Sequence, residues 1–384
     1  MIYPIIFVSI FITILLFYWM YFKIKNPFWS KQPVNHPHHF YRKFMKPFII
    51  KNSFYNHKYI NPLHIKTQSW DQFSIAKKET DLQNFIKDHF CNSQNFKYLP
   101  TFDTQINPYF KNDKNAYIST YRQFGLIIGT IMNRSIHITL PNNNKFIVSY
   151  IDFLCVHKGH RRKNVAPELI QTHELFQRTK SNKKCLVSLF KKEGVLHSFT
   201  PLVKYTTFSY DLTKQINISR NKLPSHLKII WFSLSTFKKI LSHMNQNQNN
   251  NSAFLIAPYE TQLNLLERKS IRVGGILNLY TQEVVASYWF RDTGFYVNSK
   301  KPNLECFGSI WNKKEIQENE FKCGFIESVL SISKDFNQLQ LEAIGDNTFL
   351  SKMRWTTEST IPCAYYLYNY SHKTMMPENI TIII

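Results

Sequence analysis

Apolar residues cluster along this chain in two kinds of run, one unbroken and several periodic. The unbroken run is residues 1–22, MIYPIIFVSIFITILLFYWMYF, which holds no charged side chain. As a helix it spans about 33 Å, enough to cross a bilayer core. Tyr18, Trp19, Tyr21 and Phe22 close it as an aromatic belt, and Lys23, Lys25 and Lys31 follow. This order predicts a single-pass anchor over 1–23 with the body of the protein on the cytoplasmic side. A cleaved signal peptide is the weaker fit, because no basic stretch precedes the run and no small-x-small site ends it.

The segment FWSKQPVNHPHHFYRKFMKPF comes next, and its prolines predict an extended tether rather than a helix. His36, His38 and His39 have no cysteine or carboxylate near them in the sequence, so they read as a polar loop rather than a metal site. Arg42, Lys43 and Lys46 suit lipid headgroups. Helical spacing then marks Asp81–Phe90. Strand-like runs follow at Gly125–Ile131, Ser135–Leu140 and Phe146–His157, with a turn at Pro141–Asn144 between the last two. Ala166–Arg178 reads as a helix and Cys185–Phe190 as a strand. After the low-complexity loop Asn245–Ser252, the second half echoes the first. It offers strands at Ser270–Leu279 and Glu283–Phe290, a helix at Phe321–Asp335, and strands at Leu339–Ala343, Ala364–Tyr370 and Ile380–Ile384. The echo predicts a weak internal duplication of α+β units.

Composition narrows the class. The chain has 384 residues, 43% hydrophobic and 16% aromatic, which excludes a disordered protein and allows two domains with ample core. A net charge of +23 calls for anionic partners, such as phosphorylated cofactors, an anionic membrane face or nucleic acid. No nucleic-acid-binding motif accompanies the charge, so no nucleic-acid partner is expected. Six scattered cysteines, without a CxxC pair, fit a reducing compartment.

One stretch joins the two kinds of residue. Phe153–Pro167, FLCVHKGHRRKNVAP, passes from an apolar strand through a cationic turn to a helix start. That series is suited to hold an anion, because a helix N-terminus presents free N–H groups and the positive end of its dipole. Asn164 and Ala166 place small or amide residues where backbone must approach phosphate. Spacing alone leaves a solvated basic loop as the alternative. Cys155, between Leu154 and Val156, reads as inert core more readily than as a nucleophile. His157 and His160 either approach phosphate or sit in a wet turn.

The order of strands, basic turn and helix resembles the GNAT acyltransferase fold, whose strands splay to admit coenzyme A. The stretch itself resembles the hallmark of the N-myristoyltransferase family, Asn-Phe-Leu-Cys-Val-His-Lys followed by Arg-Ser-Lys-Arg-x-Ala-Pro. Asp152 stands for the asparagine, and Phe153–Lys158 is identical. Phe28-Trp29-Ser30-Lys31-Gln32-Pro33-Val34 is similar to the family's Phe-Trp-x-x-Gln-Pro-Val at the edge of the acyl-CoA site. Asn347–Leu350, Tyr365–Asn369 and an apolar C-terminal run complete the match over residues 27–384.

The resemblance implies tandem GNAT-like domains, α+β with mixed, mostly antiparallel sheets flanked by helices. An acyl-CoA-binding domain is expected at 24–215 and a peptide-binding domain at 216–384, after the anchor at 1–23. It implies transfer of a myristoyl group from myristoyl-CoA to proteins or peptides with an N-terminal glycine, with no permanently bound cofactor and no metal. It further implies that Phe28, Trp29, His157, Lys158, Arg161, Arg162, Lys163, Asn164, Val165 and Ala166 hold the coenzyme A thioester. The backbone N–H groups of Phe153 and Leu154 would form an oxyanion hole, each donor worth about 2.7–4 kcal/mol. The carboxylate of Ile384 would be the base. A free carboxyl and an α-amine differ by about 4 pKa units, roughly 6 kcal/mol, so burial must make that base stronger.

The chain departs from the family pattern in three places. The family's Lys-Phe-Gly-x-Gly-Asp-Gly falls where this chain has Lys352–Glu358, and only the lysine survives, with Glu358 a candidate for the aspartate. Tyr205–Phe208 replaces Tyr-Tyr-His-Arg, and Val187–Phe190 replaces Tyr-Thr-Ala-Gly. These losses touch peptide recognition more than coenzyme binding. They keep two further readings open: a non-catalytic acyl-CoA or partner binder, and an acyltransferase of the same fold with another acyl chain or acceptor. Family members also generally lack a membrane span.

Overall fold

β-Branched and aromatic residues at alternating positions carry segments from both halves of this chain into one sheet of 14 strands. The computed structural model describes residues 2–51, 57–75, 79–91, 96–141, 144–179, 185–215, 222–247, 252–297 and 301–384. Helix α1 is Ile2–Lys25. Strand β1 (Ile65–Ser69) and helix α2 (Glu79–His89) precede the first meander. The meander is β2 (Tyr117–Gln123), β3 (Leu126–Leu140) and β4 (Asn144–Val156). Helix α3 (Val165–Thr179) leads to β5 (Ser188–Glu193) and β6 (Val203–Asp211). The second half holds β7 (Leu227–Trp231), α4 (Phe237–Gln246), β8 (Ala253–Ile256) and α5 (Tyr259–Glu267). It continues with β9 (Ile271–Asn278), β10 (Val284–Asp292) and β11 (Leu304–Trp311). Helix α6 (Glu318–Ile332), β12 (Gln338–Glu342), β13 (Thr357–Tyr368) and β14 (Ile380–Ile383) close the chain.

The strand order is β14-β8-β3-β4-β5-β13-β6-β12-β11-β10-β9-β7, with β2 joining β1 to β3. Most neighbours are antiparallel, and the parallel pairs are β4/β5, β11/β12 and β8/β14. Two of these pairs bracket a helix, β4–α3–β5 and β11–α6–β12, so the unit expected from the sequence echo is present twice along one sheet. Strands also cross between the halves. β13 lies between β5 and β6, and β14 with β8 extends the sheet from β3.

Two expected strands merge. Gly125–Ile131 and Ser135–Leu140 form the single strand β3, because the polar residues between them are satisfied sideways. Asn133 Nδ2 donates to Asn115 O at 2.8 Å, and Arg134 pairs with Asp152 at 3.3 Å. Helix α6 begins at Glu318, where Gln317 and Glu320 form a capping box, rather than at Phe321. The turn expected at Pro141–Asn144 and the loop at Asn245–Ser252 fall partly outside the described residues.

The segment after α1 is not an extended tether. It folds into short 3₁₀ turns at Trp29–Lys31 and Phe40–Phe44, and Val34 is fully buried against Phe199, Tyr366 and Tyr368. Gln32 explains the change. Its side-chain oxygen accepts from Gln171 Nε2 and Tyr368 Oη, each at 2.8 Å, and its amide donates to Phe28 O. His36 stacks on His38, while His39 meets His38 and Phe22 meets His36 edge-on. Among the described residues, no histidine, cysteine and carboxylate group could hold a metal ion.

The expected membrane span finds no support among the described residues, where no helix is long and apolar enough to cross a membrane.

Candidate active site

The sheet opens where β4 and β5 part. These parallel strands pair only at Ser149–Ile151 with Ser188–Phe190, then diverge. Beyond Ile151 the strand β4 stays paired to β3, but its ladder breaks. Thr130 faces Cys155 and Met132 faces Asp152, so Phe153 and Leu154 together oppose the single residue Ile131. This is a β-bulge, in which the extra residue leaves the ladder and re-aims its backbone. Phe153 takes a φ of 46°, the left-handed region that non-glycine residues rarely adopt. Thr130 Oγ1 donates to Phe153 O at 3.1 Å, and the Phe153 ring packs on Phe90, Tyr98 and Phe110. The strained backbone is thus held from both sides.

A cleft of about 740 Å³ fills the opening. Phe153 and Leu154 line it from β4, Ala166 and Pro167 from the first turn of α3, and Phe190 and Lys191 from β5. Phe28 and Trp29 line it as well. Trp29 stacks on Phe190 and lies 5.0 Å from the rings of both His197 and Phe199. Phe28 meets Tyr59 edge-on. The wall is mostly apolar and aromatic, as an acyl chain requires.

The basic turn lies outside this cleft, at the start of α3. Arg162 and Asn164 both have positive φ, 64° and 63°, so the backbone coils tightly before Val165 begins the helix. Lys158, Arg161, Arg162, Lys163 and Asn164 are exposed, whereas Val165 is buried. Arg161 is already engaged: its guanidinium donates to His89 O at 2.8 Å and Val156 O at 3.4 Å. It pins α2 to the turn. His157 accepts from Gly159 N at 3.0 Å and stacks on His89. Lys158, Arg162 and Lys163 form the cationic face of the turn. Cys155 is buried, and burial pushes its thiol up to about 12, so it remains protonated.

The opposite wall holds charges that sequence reasoning missed. Lys191 Nζ lies 2.5 Å from Glu193 and Glu342 and 3.8 Å from Glu305. Arg291 Nε donates to Glu305 Oε2 at 2.5 Å. Arg291 Nη1 also donates to an oxygen of the Ile384 terminal carboxylate at 3.3 Å. Ile384 is buried, and it reaches the cleft through this arginine. Of Lys191, Glu305 and Glu342, only Glu305 sits inside an apolar strand run, where a charge must be matched across the sheet. By contrast, Glu358 pairs with Lys214 at the surface and does not line the cleft. Tyr205 donates to Glu342 at 3.2 Å.

Residues 57–197 match the family model of myristoyl-CoA:protein N-myristoyltransferase, N-terminal domain. Over its fold, the chain is similar to Saccharomyces cerevisiae N-myristoyltransferase with bound myristoyl-CoA. One such structure has TM-score 0.70 at 15% identity, covering 92% of this chain and 91% of that one. A second has TM-score 0.70 at 13% identity, covering 93% and 99%. A third, with bound inhibitors as well, has TM-score 0.70 at 16% identity, covering 91% and 92%. No curated protein matches by sequence.

Proposed function

We propose that this chain, whose residues 57–197 belong to the N-myristoyltransferase family, transfers a myristoyl group from myristoyl-CoA to the N-terminal glycine amine of protein substrates. The observation that carries this reading is the bulge at Phe153 and Leu154, placed beside the start of α3 at the mouth of the β4/β5 opening. Coenzyme A phosphates are held by the backbone of the Arg161–Ala166 turn and by Lys158, Arg162 and Lys163, while the thioester enters the cleft. Phe28 and Trp29 border the acyl chain.

The acceptor ammonium first gives up a proton. Its lone pair then attacks the thioester carbon, and the carbonyl oxygen takes the charge. The N–H groups of Phe153 and Leu154 meet that oxygen, and their fixed bulge geometry means that little reorganisation is needed. The C–S bond breaks, the thiolate leaves with the second amine proton, and an amide and coenzyme A result. The resemblance assigns the first proton to the Ile384 carboxylate. Cys155 takes no part.

The reading extends to location. Helix α1 is apolar on every described face and exposes Phe7, Ile10, Ile14 and Phe17, with Lys23 and Lys25 in its last turn. It anchors the enzyme in the membrane with the body on the cytoplasmic side, which suits a lipid-like donor and product. Flotation of the full chain with liposomes, lost on deletion of residues 1–23, is the expected result.

The test of activity uses the full chain in detergent with radiolabelled myristoyl-CoA and peptides beginning with Gly or Ala. Label on Gly peptides alone is expected, and a single glycine appended after Ile384 should abolish it. Binding of myristoyl-CoA without transfer to any peptide would instead mark a binding protein.

A further inference from the structure

The turn between β2 and β3 breaks two local rules at one residue. Gln123 pairs with Leu126, so the turn itself is Phe124 and Gly125. Both have positive φ, 49° and 81°. A two-residue turn of that hand favours asparagine before glycine, because a bulky side chain is crowded in the left-handed region. Phe124 stands there instead, and it is 96% exposed, so no packing offsets the strain. Its neighbour Leu126 is 72% exposed. A strained residue that also leaves a large apolar surface in water marks a functional position more often than a structural one.

Two further elements complete the patch. Leu63 is 91% exposed, and it lies beside the end of β2, because Arg122 N donates to His64 O at 3.1 Å and Ile65 pairs with Tyr121. Asn61 Nδ2 ties that segment to the first turn of α3 by donating to Glu168 Oε2 at 2.6 Å. The basic turn flanks the other side of β3: His157 N donates to Ile128 O at 2.9 Å, two residues from Leu126. Lys158, Arg162 and Lys163 are exposed there. One end of the sheet therefore carries three exposed apolar side chains and a cationic rim, next to Leu154 and Ala166 of the cleft wall.

We propose that this end of the sheet docks on an anionic lipid bilayer. Phe124, Leu126 and Leu63 enter the boundary between headgroups and acyl chains, and Lys158, Arg162 and Lys163 face the lipid phosphates. Charge complementarity selects this occupant: an apolar tip with a cationic rim matches a surface that is apolar beneath a layer of negative charge. A second copy of the chain fits worse, since it would set one cationic rim, on a chain of net charge +23, against another. A folded protein partner would need a pocket for the protruding turn, whereas fluid acyl chains accept it without one.

The two parts of the patch contribute differently. The apolar side chains give a contact that salt does not weaken. The cations give an attraction that falls with ionic strength and is lost on neutral lipid. Arg122 adds little, because the Gly125 carbonyl and Asp81 already engage it. The docking involves the folded body and is separate from the anchor reading of α1. The turn proposed above to hold the coenzyme A phosphates then sits at the level where the phosphates of a bilayer-bound acyl-CoA lie.

The experiment places p-benzoylphenylalanine, a photoreactive phenylalanine analogue, at position 124 of the full chain. The chain is reconstituted into vesicles of phosphatidylcholine, with or without phosphatidylserine, and the adducts are read after illumination. A second version carries the group at position 280, where Tyr280 is exposed in the turn between β9 and β10, near the other edge of the sheet. Lipid adducts at 124 should exceed those at 280 about fivefold in vesicles with phosphatidylserine. They should fall about fivefold on phosphatidylcholine alone or in ~0.5 M salt. Phe124→Asn separates docking from folding. Asparagine suits the turn, so the melting temperature should hold or rise, while lipid adducts of the same group placed at position 126 drop about fivefold. Equal adducts at 124 and 280, or adducts indifferent to phosphatidylserine, overturn the proposal. Adducts to a second copy of the chain in place of lipid assign the patch to self-association and overturn it too. A lower melting temperature in Phe124→Asn, with lipid adducts at 126 unchanged, gives Phe124 a structural role instead. The readout is lipid contact without turnover, so the result stands apart from the acyl-transfer reading.

Discussion

Gly129 shows how closely single residues set this site. It sits in β3 beneath the first turns of α3. A Cβ placed there would lie 2.7 Å from Leu169 Cδ1 and 3.0 Å from Val165 Cγ1. Leu169 can shift at its far end, but Val165 is β-branched and stiff. Gly129→Ala therefore lifts the start of α3, which follows the basic turn proposed to hold the coenzyme A phosphates. We expect KM for myristoyl-CoA to rise several-fold while kcat changes less than twofold, with about 1–3 kcal/mol of stability lost in denaturant titration. Cys155 gives the opposite expectation. Its thiol is buried and held protonated by that burial. Cys155→Ala should keep transfer within a few-fold, and alkylating reagents should not inactivate the native enzyme. Rapid inactivation by modification of Cys155 would restore the nucleophile reading.

Helix α3 carries the same logic to the scale of an element. It packs against β2, β3 and β4 through Leu169, His173 and Gln177. His173 Nδ1 pairs with Ser119 Oγ at 2.8 Å, and burial lowers its pKa to about 3. Burial also lowers His197 and His243 to about 4. The unfolded chain binds protons at these sites below about 6.5, but the folded chain does not, so stability rises with pH across that window. It is fully present above about 6.5 and lost as pH falls toward 3–4, at about 1.4 kcal/mol per unit of depression for a buried site. Melting temperature should fall steeply between pH 6.5 and 4, and His173→Gln should flatten part of that slope. Elements like α3 were legible in the sequence because their apolar period is local, as it was for α2, β4 and β9. The basic turn was legible too, as a run of residue types, but the bulge at Phe153 and Leu154 was not, because those residues read as part of an unbroken strand. The far wall was not. Lys191 in β5, Glu305 in β11 and Glu342 in β12 are acceptable only because they neutralise one another across the sheet. That pairing spans more than a hundred residues of chain and leaves no local period. Gln32 was missed for the same reason, since its partners are Gln171 and Tyr368.

The whole molecule is tied together by strands that change sides. β13 comes from the last part of the chain, yet it pairs with β5 through six residues and with β6 through eight. β14 and β8 close the edge beside β3, burying Ile380, Ile382 and Ile383 with Leu255. A boundary after residue 215 therefore cuts no sheet in the chain order but leaves β5 and β6 without the strand between them. Such open edges present unpaired N–H and C=O groups and a bare apolar face. The fragment 24–215 should fail to fold alone, giving a non-cooperative melt and aggregating, although it holds the bulge, the basic turn and α3. Adding the fragment 216–384 in trans should restore a cooperative melt and acyl-CoA binding, because the missing strand can then pair. A fragment 24–215 that melts cooperatively and binds myristoyl-CoA would show that the halves are independent domains. It would also mean that Glu305 and Glu342, the partners of Lys191 contributed by the second half, are not needed to build the acyl-CoA site.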